Sequence, residues 1–225
     1  MSRGSSILMN STIDTTVAKT GTTILAVICK DSVVMGADRR VTAGNIVMSK
    51  NERKVQQIND YLVMSWCGNA ADAFLSSKVI AAELKLIELR NKSRPTVQEA
   101  ASLVGMMYYR NIRQPSMLPH IVGALIGGVN EDGATEAYTI EPAGGVYKVQ
   151  DYDANFGSGM PFALGLFERQ WKPDMSTKEG EHLVVEALKA STQRDSASGN
   201  GIDVFTITKE GIKQTVSQKI TPNYS

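Results

Sequence analysis

With 225 residues and a formal net charge of +1, from 24 basic and 23 acidic residues, the chain fits one large domain or two small ones and gives no electrostatic reason for a nucleic-acid or membrane partner. Hydrophobic residues make up 42% and charged residues 21%, enough for a core that needs neither disulfides nor metals. Two cysteines, Cys29 and Cys67, and two histidines, His120 and His182, leave little material for a disulfide framework, a histidine zinc site or a Ser-His-Asp triad.

Residues 1–21 are rich in Ser and Thr, and their one apolar run, Ile7-Leu8-Met9, is too short for a signal-peptide core. This head reads as a tail or as a piece to be removed. No run of about eighteen apolar residues follows, so no membrane span is expected. From Thr22 the pattern changes. Residues 22–28 and 33–37 are β-branched runs that predict a hairpin turning at Cys29-Lys30-Asp31-Ser32. Residues 41–54 read as a loop and residues 61–67 as a strand.

Helical periodicity covers residues 69–90 through Ala73, Leu75, Val79, Ile80, Leu84 and Ile87. A second helix opens at Thr96, with Glu99 as capping-box partner, and runs to about Arg110. Strands are expected at 121–129, 136–140 and 146–149. After one or two helices, the last of them capped by Ser176 and Glu179, a hairpin at 202–208 and 211–216 turns at Lys209-Glu210. Hairpins with paired helices, and no βαβ alternation, argue against a doubly wound sheet and for two stacked antiparallel sheets between helical layers. No linker or repeat divides the chain, so residues 22–225 read as one domain.

Reactive side chains are densest between Thr22 and Lys54. A hairpin returns Asp38 to the side of Thr22, and Lys54 follows a glycine-containing loop. Hydroxyl, carboxylate and amine can serve as nucleophile, orienting group and proton acceptor. On spacing alone the plainer reading is the usual one: Thr is a good β former, and Asp38-Arg39-Arg40 is an ordinary ion-pair sequence.

The segment GTTILAVICKDSVVMGADRRVTAGN resembles the start of a mature proteasome β subunit of the archaeal type, a threonine peptidase among the N-terminal-nucleophile (Ntn) hydrolases. Asp38 and Lys54 follow Thr22 by 16 and 32 residues, the family's catalytic spacing. CGNAAD at 67–72, IGG at 126–128, GSG at 157–159, RDSASG at 194–199 and GIDV at 201–204 recur in the family's order, so the resemblance covers residues 21–210.

The resemblance implies an α+β fold, the four-layer αββα sandwich of the Ntn hydrolases. It implies a zymogen whose propeptide, residues 1–21, is removed by autocatalytic cleavage between Gly21 and Thr22. Thr22 then becomes the N-terminal nucleophile, with its own α-amine as base. Asp38 would hold Lys54, Gly68 would donate its N–H to the oxyanion, and Ser158, Asp195 and Ser198 would arrange the amine and its water. Arg40 reads as structural, paired with a carboxylate. Val41, Glu52, Gln56, Trp66 and Ala70 match the primary specificity pocket, which Trp66 would largely fill; Glu52 would favour a basic side chain in any space left.

The implied partners are proteasome α subunits and other β subunits in heptameric rings stacked α7β7β7α7, unfolded polypeptide substrates and, indirectly, an unfolding ATPase. The expected location is cytoplasmic, with no cofactor. An assembly subunit with little turnover, a bacterial HslV-type peptidase and a proteasome α-type scaffold are the rival readings. The last is disfavoured by a head too polar to form the extra N-terminal helix of such subunits.

Overall fold

A computed structural model of the chain describes residues 21–220. The predicted removal of residues 1–21 therefore falls almost wholly outside the described residues, as does the domain's last segment, 221–225. The first hairpin is β1 (Ile24–Ile28) and β2 (Ser32–Asp38), in register from Ile24 opposite Ala37 to Ile28 opposite Val33. The Cys29 N–H closes its turn on the Ser32 carbonyl at 2.9 Å.

Next come β3 (Val41–Ala43), β4 (Ile46–Ser49), β5 (Val55–Asn59) and β6 (Leu62–Gly68), then α1 (Ala70–Asn91) and α2 (Val97–Ile112). Strands β7 (Val122–Val129), β8 (Thr135–Ile140), β9 (Val146–Lys148) and β10 (Tyr152–Asp153) precede α3 (Met160–Gln170) and α4 (Thr177–Arg194). The hairpin of β11 (Gly201–Thr208) and β12 (Gly211–Lys219) ends the described chain.

Two five-stranded antiparallel sheets result, ordered β10-β1-β2-β11-β12 and β5-β6-β7-β8-β9. Strand alternation explains the layering. On β1 and β2, Ile24, Ala26, Val33, Met35 and Ala37 face the second sheet, in a core that also takes Ile80 and Leu84 of α1 and Val104 and Tyr108 of α2. The intervening Leu25, Val27 and Val34 pack instead on Ala163 and Phe167 of α3 and on Leu183, Val184 and Leu188 of α4. The predicted αββα sandwich is therefore present, with the first sheet buried on both faces.

The helix starts follow the side-chain chemistry. Thr96 and Ser176 make complete capping boxes with Glu99 and Glu179, and Asn69 caps α1 by accepting from the Ala71 and Asp72 N–H groups. The expected loop at 41–54 is corrected, since it holds the β3–β4 hairpin, turned at Gly44 with φ +58°. Its residues Ile46, Val47 and Met48 are exposed, so they lack the one-sided apolar pattern by which a strand is recognised. The sequence pattern likewise predicts neither β5 nor β10.

Candidate active site

The β1–β2 hairpin brings Asp38 back to the start of the chain's first strand, where its N–H donates to the Thr23 carbonyl at 3.1 Å. The Asp38 carboxylate is fully buried and accepts four hydrogen bonds. Oδ1 takes Lys54 Nζ at 2.8 Å and Thr23 N–H at 2.9 Å; Oδ2 takes Arg40 N–H at 2.8 Å and Gly199 N–H at 2.9 Å. Lys54, at the foot of β5, is also fully buried. Burial holds its ammonium below the ordinary lysine value, and the Asp38 charge works against that shift.

The Gly21 carbonyl oxygen lies where these groups meet. It accepts the Thr22 hydroxyl at 2.5 Å and Lys54 Nζ at 3.4 Å, while the Gly21 N–H donates to Thr42 Oγ1 at 3.2 Å. On the other side, the Thr22 N–H donates to Ser158 Oγ at 3.1 Å. Both Ser158 and Ser198 donate to Asp195 Oδ2, at 2.5 and 2.6 Å. The six residues Thr22, Asp38, Lys54, Ser158, Asp195 and Ser198 are thus joined in one hydrogen-bonded set around one peptide bond. The glycines of the GSG segment permit the approach: a Cβ on Gly157 would overlap the Thr22 carbonyl oxygen, and one on Gly159 would overlap Thr23 Oγ1.

Gly68 ends β6 with φ +108°, and a Cβ there would overlap the Ile121 carbonyl oxygen. Among the described residues its N–H makes no hydrogen bond to Gly21 or Thr22, whose contacts come from elsewhere. Of the pocket residues, Val41 opens β3, Glu52 lies before Lys54, Gln56 is on β5 and Ala70 begins α1; all four are partly exposed. Trp66 is not. Its ring is buried edge-on against Phe74, with centroids 5.3 Å apart at 65°, and its backbone N–H holds the Lys54 carbonyl at 3.0 Å.

One expectation is corrected. Among the described residues the Arg40 guanidinium binds the Asn200 side-chain oxygen and the Ser196 carbonyl, not a carboxylate. The carboxylate pair belongs to Arg39, whose Nε and Nη2 fork onto Asp203 at 2.7 and 2.5 Å. Just past the end of β2, Arg39 lies against β11, which carries Asp203, whereas the Arg40 side chain covers the 196–200 turn. Both cysteines are buried, as expected. Burial pushes the Cys67 thiol up to about 12 and Cys29 up to about 11, so neither is a ready nucleophile.

Sequence reasoning missed Thr42, Thr23, Ser191 and Phe74. The doubled Thr was a signal for Thr23, because consecutive residues of an extended chain face opposite ways. Phe74 lies four residues after Ala70, on the same face of α1.

Two antiparallel sheets between helical layers, with a buried Thr-Asp-Lys cluster at the start of the first strand, define the Ntn-hydrolase fold class. A family model described as proteasome subunit matches residues 18–207. Curated relatives include a proteasome subunit beta of Thermoplasma acidophilum, 38% identical over 94% of this chain and 95% of its own length. Those of Archaeoglobus profundus and Ferroglobus placidus are each 35% identical over 89% of the chain and 90% and 92% of their own length. The chain belongs to the proteasome subunit family, and its similarity is to the β subunits of that peptidase, which assemble with other subunits into particles.

Proposed function

We propose that the chain is the precursor of a threonine endopeptidase subunit that cuts its own Gly21–Thr22 bond and then hydrolyses unfolded polypeptides. The convergence of the Thr22 hydroxyl and Lys54 Nζ on the Gly21 carbonyl oxygen carries this reading. In the self-cleavage step, a bond forms between Thr22 Oγ1 and the Gly21 carbonyl carbon. The carbon–nitrogen bond breaks, and the hydroxyl proton passes to the departing nitrogen. Water then hydrolyses the ester, leaving a Gly21 carboxylate and a free Thr22 amine.

That amine, with an ordinary pKa of about 7.7–8.0, suits a general base near neutral pH. Thr22 Oγ1 then attacks a substrate carbonyl and forms an acyl-enzyme that water clears. Lys54 stabilises the charge that develops on oxygen, and Gly68 N–H serves as an oxyanion donor once a substrate lies along β6, an interaction of roughly 3–4 kcal/mol in comparable sites.

The proposed setting is the cytoplasm, in α7β7β7α7 stacks supplied by an unfolding ATPase. Helix α1 supports docking on neighbouring subunits. Opposite its core face it exposes Leu75, Val79, Ala82, Leu86 and Leu89, at the alternating four- and three-residue spacing of a helix-packing seam.

Intact mass and N-terminal sequencing after co-assembly with α subunits test the proposal. The parent should begin at Thr22 and the Thr22→Ala control should keep residues 1–21; an uncut parent in complete particles refutes self-processing. The Trp66–Phe74 contact favours a narrow specificity for small side chains. Trp66→Ala should therefore admit larger residues before the scissile bond, by about 10-fold or more in kcat/KM, since each added buried apolar group is worth 1–3 kcal/mol. Identical cleavage profiles would discard the filled pocket.

A further inference from the structure

Thr23 touches both halves of the site. Its backbone N–H donates to Asp38 Oδ1 at 2.9 Å, and its side chain points away from Asp38, toward the C-terminal end of α4. There the Thr23 hydroxyl meets Ser198 Oγ at 2.7 Å and Ser191 Oγ at a still shorter distance. Thr23, Ser191 and Ser198 are all 0% exposed.

The direction of these hydrogen bonds follows from proton counting. Asp195 only accepts, so Ser198 spends its single proton on Asp195 Oδ2. Ser198 must then accept from Thr23, and Thr23 in turn must accept from Ser191. A one-way chain runs Ser191 to Thr23 to Ser198 to Asp195. It meets, on the same carboxylate oxygen, the opposite chain from Thr22 N–H through Ser158. With its own proton committed to Asp195, Ser158 can only accept from the Thr22 nitrogen, which leaves the lone pair of a free amine for the hydroxyl beside it.

In the uncut chain Thr22 is held covalently on both sides. Cleavage removes the Gly21 anchor, and a terminal residue is left to keep its place through its neighbours. Resting on the reading that Thr22 becomes that terminus, we propose that Thr23 is a positioning residue. Its buried hydroxyl, clamped between Ser191 and Ser198, anchors the newly made N-terminus and keeps the Thr22 amine on Ser158. The space around the clamp is closed: a Cβ on Gly159 would overlap both Thr23 Oγ1 and Ser191 Oγ. An anchor of this kind matters to the mature enzyme and not to the precursor, because only the mature chain end is free to move.

Thr23→Val, which keeps the shape and removes the hydroxyl, separates these two stages. The variant should assemble and be cut at Thr22 within about threefold of the parent's rate. Its mature kcat should fall about 10- to 100-fold with KM little changed, the loss that a misplacement of about an ångström produces. The acid limb of its kcat/KM profile should shift, because the amine has lost its fixed partner, while Thr23→Ser should recover most of the rate. Ser191→Ala should reproduce the loss more mildly.

A processed Thr23→Val variant with the parent's kcat and pH profile overturns the anchor alone. Equal losses in processing and turnover also overturn it, since they assign Thr23 to the fold. A parent that keeps residues 1–21 overturns instead the reading on which the anchor stands.

Discussion

Asp38→Asn should leave the assembled chain uncut at Gly21–Thr22, abolish turnover and lower stability by roughly 3–5 kcal/mol, the cost of removing one partner from a buried ion pair. The native carboxylate is fully buried and presents acceptors to four donors. Asparagine supplies one acceptor oxygen and an NH2 group, so the donors on one side would face another donor. If the NH2 faces Lys54 and Thr23, the ammonium keeps, among the described residues, only the Gly21 carbonyl at 3.4 Å as acceptor. If it faces Arg40 and Gly199, the turn that carries Asp195 and Ser198 loses the bond from Gly199 N–H to the end of β2.

The pH dependence has a definite sign. Burial already holds Lys54 below the ordinary lysine value of about 10.4. Between the lowered value and the ordinary one, the unfolded chain binds more protons than the folded chain, so stability from this group rises with pH. Removing the opposing Asp38 charge lowers the Lys54 value further and widens that window downward. Denaturant midpoints measured across neutral to alkaline pH, beside intact mass, check both parts. A variant that is processed and as stable as the parent would show that the four-donor cluster is not what holds Lys54 in place.

The parts of this arrangement legible in the sequence are those set by local rules. The β1–β2 hairpin followed from two β-branched runs around a four-residue turn, and that turn alone returns Asp38 to Thr22. Capping boxes at Thr96 and Ser176 fixed the starts of α2 and α4. The rest depends on contacts distant in sequence. Ser158 and Asp195 are 37 residues apart, and only the packing of α3 and α4 on the first sheet brings them together. Without the resemblance they were simply turn residues.

Arg39 and Arg40 show the same limit. Adjacent in sequence and identical in chemistry, they are told apart only by β11, which places Asp203 beside Arg39, and by the turn before it, which places Asn200 beside Arg40. Thr23 and Ser191 escaped notice because a Thr in a strand and a Ser in a helix are ordinary residues. Only their juxtaposition, 168 positions apart, gives them a role.

Gly21→Ala should slow self-processing by about 100-fold or more, and the reason lies across the site from the chemistry. A Cβ built on Gly21 would overlap the Ala197 side chain and stand 2.8 Å from Ser158 Oγ. Ala197 belongs to the turn that carries Asp195 and Ser198, and its N–H donates to Asp195 Oδ1 at 3.1 Å. The added methyl therefore forces a choice. Either Gly21 moves and its carbonyl leaves the Thr22 hydroxyl and Lys54, or the turn moves and Asp195 leaves Ser158. Both displace reacting groups by an ångström or so, which is where positional losses of this size arise.

Gly21→Ala with Ala197→Gly should recover part of the rate, because the most severe overlap is gone while the Ser158 contact remains. Molecules of the Gly21→Ala single variant that do become cut have lost residue 21. Their turnover, taken per free Thr22 terminus, should match the parent's. Quantifying processed termini by mass over time, and activity per terminus, separates the two stages. Unchanged processing of the single variant would show that the Gly21 carbonyl can reach Thr22 Oγ1 by a path that avoids Ala197.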